Sequence, residues 1–418
     1  MSKVAIVGQG YVGLPLARTA INAGLEVVGV DADADIVAGL NNGHSHVDDL
    51  SAADLAAMVS NGYRATSDAA ELRHAEYVII CVPTPLSEDG DPDLGPLRAA
   101  AADVARQLSA GTLVVVESTT YPGTTDEVVR PILEESGLIA GQDFNLAYSP
   151  ERIDPGNPEF GLQNTPKIVG GHTQACGERA AIFYGKLVQD VVRVRGTREA
   201  EMAKLLENTY RHINIALVND MVRLSRELGL DLWEAIGAAA TKPFGYQPFW
   251  PGPGVGGHCI PIDPRYLSHE ASVRLGHPLR FVELAREVNE SMPGYVAERI
   301  EERLDADGIP LAGATVLLLG ITYKPDIGDS RETPAAPLAR ILRDGGAIVQ
   351  YHDPFIGEWE LDADQLTSVA DLASSVAGAD LCVLLQQHRD YDLDDIATRA
   401  ARVLDTRGVM TGESVERL

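Results

Sequence analysis

The sequence predicts an α/β protein with two parallel-sheet domains joined by a long central helix, in a helical region that serves as a bridge between domains or as a dimerisation region. Three observations carry this. A glycine turn, Gly8-Gln9-Gly10-Tyr11-Val12-Gly13, separates a short apolar run from a helical pattern, and Asp31 closes the apolar run that follows. A helical pattern then extends from Thr197 to Gly229, long for a globular domain and in need of burial on several sides. From Ala314 onward, apolar runs again alternate with helices. A length of 418 residues suits this plan at roughly 150 per domain, and the boundaries fall at 1–195, 196–305 and 306–418.

In the first domain, residues 3–7 and 27–30 are strands around a helix over 14–22. Strand, glycine turn, helix, strand, acid is the order of a dinucleotide-binding, Rossmann-like unit. Gly8 makes the tight turn, Gly10 lets a pyrophosphate approach the backbone, and Gly13 permits close helix packing. Tyr11 and Val12 complete the turn, and the helix N-terminus offers unpaired N–H groups to phosphate. Asp31 would accept the ribose hydroxyls and repel an added phosphate, which selects NAD. Further strands at 77–82 and 113–116 run into Pro83-Thr84-Pro85 and Glu117-Ser118-Thr119-Thr120, at the sheet edge where ligands bind. Thr84 and Thr119 are there as ligand contacts or as helix caps. Cys81, inside a strand run, reads as a core thiol.

Strands at 144–148, 167–169 and 191–194 lead to the long helix, which Thr197, or Arg198 in a frayed start, caps and Gly229 stops. Lys204 and Asn208 lie four apart on it and share a face, either as donors to one oxygen or as a surface lysine with a polar neighbour. The segment from Thr241 to Leu267 holds Pro251, Pro253, Pro261 and Pro264 together with Gly252, Gly254, Gly256 and Gly257, so it is a shaped loop. Its glycines are expected to leave amides open to an anion and room for something bulky. Cys259 sits at its centre, with Asp263 four residues later. A thiol among backbone N–H groups is placed for nucleophilic attack; a structural thiol and a metal ligand are the alternatives, the latter without a CxxC partner.

Helix over 278–304 and strands at 314–320, 347–350, 381–385 and 402–404 build a second Rossmann-like domain that lacks the glycine turn. Lys324 and Arg331 stand near its first crest, as phosphate-binding cations or as solvated partners of Asp326, Asp329 and Glu332.

Asp and Glu number 61 against 34 Lys and Arg, a net charge of −27, which argues against nucleic acid or an anionic membrane as partner. Four cysteines are too few for a disulfide framework and read as free thiols. The N-terminal residues enter a folded pattern at once and no apolar run reaches the length of a membrane span, so a cytoplasmic location is expected.

Taken together, these blocks resemble the UDP-glucose/GDP-mannose dehydrogenase family over essentially the whole chain. The matching segments are GQGYVG with Asp31, Pro83-Thr84-Pro85, Ser118-Thr119, Ser149-Pro150-Glu151, Glu201-Met202-Ala203-Lys204 with Asn208, Gly256-Gly257-His258-Cys259 through Asp263, and Tyr323-Lys324-Pro325-Asp326 with Arg331-Glu332-Thr333-Pro334. The resemblance implies a homodimer that oxidises the C6 alcohol of a nucleotide sugar to a carboxylate, with two NAD+ and one water. It implies that Cys259 captures the aldehyde as a thiohemiacetal that becomes a thioester, and that Lys204 and Asn208 stabilise the oxygen. Asp263 would position Lys204 or water, and Glu151 and Thr119 would assist water activation. Arg152, Arg211, Tyr246, Gly256, Gly257 and Lys324 fall on the substrate side, and Pro83, Thr84 and Arg331 on the cofactor side; no metal is implied.

Two departures stand out. A second glutamate that some members carry four residues after Glu151 is here Pro155, and members acting on UDP-glucose often have lysine at Ile262 and Ser or Tyr at His258. These departures make the chain similar to the branch acting on N-acetylated sugars, with UDP-N-acetylglucosamine as the expected substrate. UDP-N-acetylmannosamine and a UDP- or TDP-glucose are the alternatives. A single-step NAD-dependent dehydrogenase, which needs no thiol, is the rival enzyme class, and a nucleotide-binding sensor the rival without catalysis.

Overall fold

The computed structural model describes residues 2–47, 50–87, 90–154, 157 and 159–418, so the departure at Pro155 lies outside the described residues. The chain divides into two compact units, Met1–Glu207 with Arg265–His277, and Asn208–Pro264 with Pro278–Leu418.

The first unit is built from β1 (Lys3–Val7), α1 (Gly13–Asn22), β2 (Glu26–Val30), α2 (Ala34–Asn41), α3 (Ala52–Ser60), β3 (Arg64–Thr66), β4 (Tyr77–Ile80), α4 (Gly95–Gln107), β5 (Leu113–Val116), α5 (Arg130–Glu134), β6 (Asn145–Tyr148), β7 (Lys167–Gly171), α6 (Gln174–Tyr184) and β8 (Val191–Arg193). Its sheet has the order β3-β2-β1-β4-β5-β6-β7-β8, parallel except where β7 runs antiparallel to β6. The central strands YVII and LVVV are buried along their whole length, as strands covered by helices on both faces must be. The order reverses between β1 and β4, and the crevice beyond the carboxyl ends of those strands is where such sheets bind ligands.

Helix α7 (Thr197–Glu227) runs 31 residues and contributes to both units. Thr197 is its first residue rather than the residue before it, and the hydroxyl donates 2.7 Å to Asp126 Oδ2, a tie across the first unit. Gly229 follows the helix with φ 67°, the left-handed conformation that stops it. Leu206, Tyr210, Leu217, Met221, Leu224 and Leu228 recur at three-, four- and seven-residue spacing, and each remains exposed.

In the second unit, α8 (Leu232–Ala240) and α10 (Arg280–Asp305) pack with α7 residues such as Val222, while α9 (Asp263–Leu275) starts at the cysteine loop. The Rossmann-like part follows as β9 (Thr315–Leu319), α11 (Ala335–Asp344), β10 (Ile348–His352), the hairpin β11 (Glu358–Leu361) and β12 (Asp364–Thr367), α12 (Leu372–Gly378), β13 (Leu381–Leu384), α13 (Leu393–Arg399), β14 (Val403–Asp405) and β15 (Val415–Arg417). Its sheet is wholly parallel, in the order β10-β9-β13-β14-β15. Among the described residues, no helix is long and apolar enough to cross a membrane.

Candidate active site

Parallel strands β2, β1, β4 and β5 lie side by side, which brings Asp31, the glycine turn, Pro83-Thr84 and Thr119 to one edge of the first sheet. Gly8 has φ 91°, and a Cβ there would sit 2.7 Å from the Cys81 carbonyl oxygen. A Cβ on Gly13 would lie 1.9 Å from the Gly8 carbonyl oxygen, so only glycine lets the helix start this close to β1. At Gly10 a Cβ would meet nothing within 4 Å. That open backbone face, next to a helix N-terminus, fits the pyrophosphate of a dinucleotide. Val12 precedes α1, and Tyr11 beside it is partly exposed.

Asp31 is anchored by the turn it serves. Its Oδ2 accepts the Gln9 N–H at 2.7 Å and its Oδ1 the Asp33 N–H at 3.0 Å. Two further lone pairs remain for hydroxyl donors. Thr84 donates 2.8 Å to the Thr119 carbonyl, and Ser118 donates 2.7 Å to the Val82 carbonyl. The Thr84 hydroxyl hydrogen thus ties two crest loops together, which neither a ligand contact nor a helix cap anticipates. Tyr266 donates to the Thr84 carbonyl from α9, while Pro83 beside it is exposed.

Beyond β6, Glu151 accepts from the N–H groups of Arg152 (2.7 Å) and Ile153 (2.6 Å), and its second oxygen lies 3.5 Å from Lys167 Nζ. Arg152 spends its guanidinium on Glu207 at 2.7 and 3.1 Å and on the Pro166 carbonyl at 2.6 Å, binding its loop to α7. On α7 itself, Lys204 is buried. One turn earlier, Glu201 accepts the N–H groups of Gly123 (2.6 Å) and Thr125 (2.9 Å) and the Thr125 hydroxyl (2.7 Å). These bonds fix the start of α7 to the segment after Thr119. Burial pushes the Glu201 carboxyl up to about 7 against the pull of those donors.

In the second unit, Asn208 donates its side-chain amide to the buried carboxylate of Asp263. The Cys259 carbonyl accepts from Asp263 N–H at 2.8 Å and Ile262 N–H at 3.2 Å, so the cysteine forms the turn that opens α9. Its thiol is exposed, whereas Cys81, Cys176 and Cys382 are buried. Burial pushes the thiols of Cys81 and Cys382 up, the latter to about 12, so both are core residues.

The glycine loop differs from its sequence reading. Gly252 N–H donates to Asn219 Oδ1 at 2.9 Å and Gly257 N–H to the Arg331 carbonyl at 3.2 Å, so these amides serve the loop's own anchoring. The bulky neighbour is part of the chain: a Cβ on Gly257 would lie 2.7 Å from the Tyr323 ring, and one on Gly256 2.5 Å from the Glu332 carbonyl oxygen. The close approach of the 323–334 crest therefore requires glycine at both positions. Glu332 itself adopts φ 50°, a strained value for a non-glycine residue.

On that crest, Arg331 grips Asp329 through Nε (2.9 and 3.1 Å) and Nη2 (2.6 Å). Asp326 instead pairs with Arg389 at 2.8 Å. Burial and the nearby Arg331 hold the His258 imidazole below its ordinary value. Lys324 is half-buried, and Arg211 and Tyr246 are exposed. Sequence reasoning assigned no role to Glu117, Lys167 or Tyr184, whose side chains meet in the interior of the first unit; long sequence separation hides such a cluster from any local pattern.

Models of the UDP-glucose/GDP-mannose dehydrogenase family match three successive parts of the chain: the NAD binding domain over residues 2–188, the central domain over 198–291 and the UDP binding domain over 317–412. The chain is 35% identical over 391 residues to UDP-N-acetyl-D-mannosamine dehydrogenase of Pyrococcus horikoshii, covering 93% of this chain and 90% of the relative. It is 36% identical over 356 residues to UDP-N-acetyl-D-glucosamine 6-dehydrogenase of Pseudomonas aeruginosa, covering 85% and 83%. A solved structure of UDP-D-ManNAc dehydrogenase from Pyrococcus horikoshii superposes with a TM-score of 0.89 at 32% identity, covering 99% of this chain and 98% of that one. With all three domains matched in order and relatives aligned along most of its length, the chain belongs to the UDP-glucose/GDP-mannose dehydrogenase family, the NAD-dependent nucleotide-sugar dehydrogenases.

Proposed function

We propose that this dehydrogenase oxidises the C6 hydroxyl of UDP-N-acetylglucosamine to a carboxylate, with Cys259 as covalent nucleophile. The observation that carries the reading is the exposed Cys259 at the turn opening α9, four residues before Asp263, whose carboxylate accepts from Asn208. Bound NAD+, used twice, accepts the electrons that take the alcohol to the level of a carboxylic acid. Gly8, Gly10, Tyr11, Val12, Gly13 and Asp31 hold that cofactor, with Pro83, Thr84, Thr119 and Arg331 around it.

After the first oxidation the Cys259 sulfur bonds to the aldehyde carbon, and the oxygen becomes the hydroxyl of a thiohemiacetal. Lys204 and Asn208 donate to that oxygen as charge builds on it. The second oxidation leaves a thioester. Water then adds to its carbonyl carbon, Glu151 takes the water's proton with help from Thr119, and the carbon–sulfur bond breaks to return the cysteine. Covalent capture keeps a reactive aldehyde from escaping. Arg211, Tyr246, Gly256, Gly257 and Lys324 serve the nucleotide sugar, Arg152 serves it by holding the Glu151 loop through Glu207 and the Pro166 carbonyl, and the exposed apolar stripe of α7 within region 196–305 serves a homodimer.

The choice of sugar rests on the cysteine-loop residues, which lack the lysine and the Ser or Tyr expected of a glucose enzyme. The mannosamine epimer is the second reading, supported by relatives of comparable identity that carry that name. Initial rates at saturating NAD+ with UDP-GlcNAc, UDP-ManNAc, UDP-glucose, TDP-glucose and GDP-mannose test the choice. UDP-GlcNAc is expected to give the highest kcat/KM, and a clear preference for another sugar overturns the assignment.

A further inference from the structure

Strand β7 runs antiparallel to β6, so its first residue, Lys167, comes to the edge where β5 and β6 end. The pairing of Tyr148 with Gly170, continued along the strands, sets Lys167 opposite Glu151. Its ammonium lies 2.9 Å from Glu117 Oε2 and 3.5 Å from Glu151 Oε2. Tyr184, the last residue of α6, donates to the other oxygen of Glu117, and its ring lies 5.2 Å below the ammonium. Side-chain exposure is 3% for Lys167, 0% for Glu117 and 14% for Glu151, so of the three only Glu151 reaches the surface.

A lysine this buried needs a partner, and Glu117 alone would neutralise it. The third group is what the pair adds. Burial opposes the ammonium, yet Glu117 and Glu151 together hold Lys167 above its ordinary value and therefore charged. Glu151 is then fixed through both oxygens, one by the N–H groups of Arg152 and Ile153 and the other by Lys167. The titratable groups around this contact are Glu117 just after β5, Tyr184 from α6 and the buried Cys81 thiol after β4; the Arg152 guanidinium is turned to Glu207.

We propose that Lys167 is a positioning residue for thioester hydrolysis: it holds the Glu151 carboxylate where it receives the proton of the attacking water, with Glu117 as its buried counter-charge. This rests on the assignment of Glu151 as the base. In the step concerned, the water oxygen bonds to the thioester carbonyl carbon, its proton passes to Glu151, and the carbon–sulfur bond breaks to release the Cys259 thiolate.

The test compares E117Q/K167M with E117Q and E151Q. The double variant removes both charges of the buried pair, so no lone ion is left inside. Each protein is mixed with saturating NAD+ and UDP-GlcNAc, quenched within turnover and weighed by mass spectrometry, while NADH release is followed. E117Q/K167M is expected to accumulate the acyl adduct on Cys259 after a rapid NADH burst, with steady turnover about tenfold or more below that of E117Q, which keeps an ammonium opposite Glu151. E151Q is expected to accumulate the same adduct. An adduct in E151Q but none in the double variant, turning over as fast as E117Q, overturns the role of Lys167 alone. No adduct in E151Q overturns the assignment of Glu151, and the proposal with it.

Discussion

The side-chain amide of Asn208, on the long helix, donates to the carboxylate of Asp263, the first residue of α9 and 55 positions away in sequence. One N–H of the amide is committed to a buried acid, and the direction of its second N–H follows from that bond. An oxygen-stabilising donor works only if held in advance, because the benefit comes from avoiding reorganisation when charge develops.

Asp263→Asn replaces the acid with a group that binds Asn208 weakly and carries no charge. The expected result is a fall in kcat of about 10²-fold with NAD+ affinity retained. Steady-state rates on UDP-GlcNAc together with an NAD+ binding titration check both halves.

Asp31 meets the Gln9 and Asp33 amides with one oxygen each, so Asp31→Asn removes the charge and still offers an acceptor to the turn. Discrimination against NADP+ should drop about tenfold or more, since like-charge repulsion of its extra phosphate is gone. The ratio of kcat/KM for NAD+ and NADP+ in the two proteins measures it.

Glu201 sets a pH signature. With its carboxyl at about 7 when folded and ~4.3 when unfolded, the folded state keeps a proton that the unfolded chain has lost across that window. Its contribution is therefore complete below ~4.3 and is lost as pH rises to about 7, at up to about 1.4 kcal/mol per pH unit. Glu201→Gln cannot lose the proton, so it should gain stability relative to the parent between pH 5 and pH 7. Urea unfolding at several pH values shows this; a difference that stays constant with pH would mean that the three donors keep the carboxylate ionised throughout.

Leu217 and Leu224 are more than half exposed on the apolar stripe of α7. If that stripe is the homodimer seam, Leu217→Asp with Leu224→Asp should yield a folded monomer, because two charges would be buried without partners. Sedimentation equilibrium of both proteins decides it, and a parent already monomeric contradicts the seam.

Features encoded locally were legible in the sequence. The turn from Gly8 to Gly13 and Asp31 are close in the chain; Gly8 and Gly13 meet the close backbone approaches their positions imply, and the face of Gly10 stays open. Strands β4 and β5 announce themselves as short apolar runs. By contrast, β3 and β15 are three residues each, too short for any periodicity, and Trp359 and Leu361 of the β11–β12 hairpin alternate with acids over only four positions. The cysteine loop was read for composition but not for its occupant: nothing local says that the Tyr323 ring fills the space beside Gly257. Nor does Lys167, one polar residue opening a strand, reveal acids 50 and 16 positions before it.

The proposed covalent route requires that oxidation proceed twice on one substrate through Cys259. End-point NADH yield per nucleotide sugar, measured for the parent and for Cys259→Ala with sugar limiting, tests it most directly. Two NADH per sugar are expected from the parent, with this two-step turnover lost in Cys259→Ala. Two NADH per sugar from Cys259→Ala at a parental rate, or one from the parent, would contradict it.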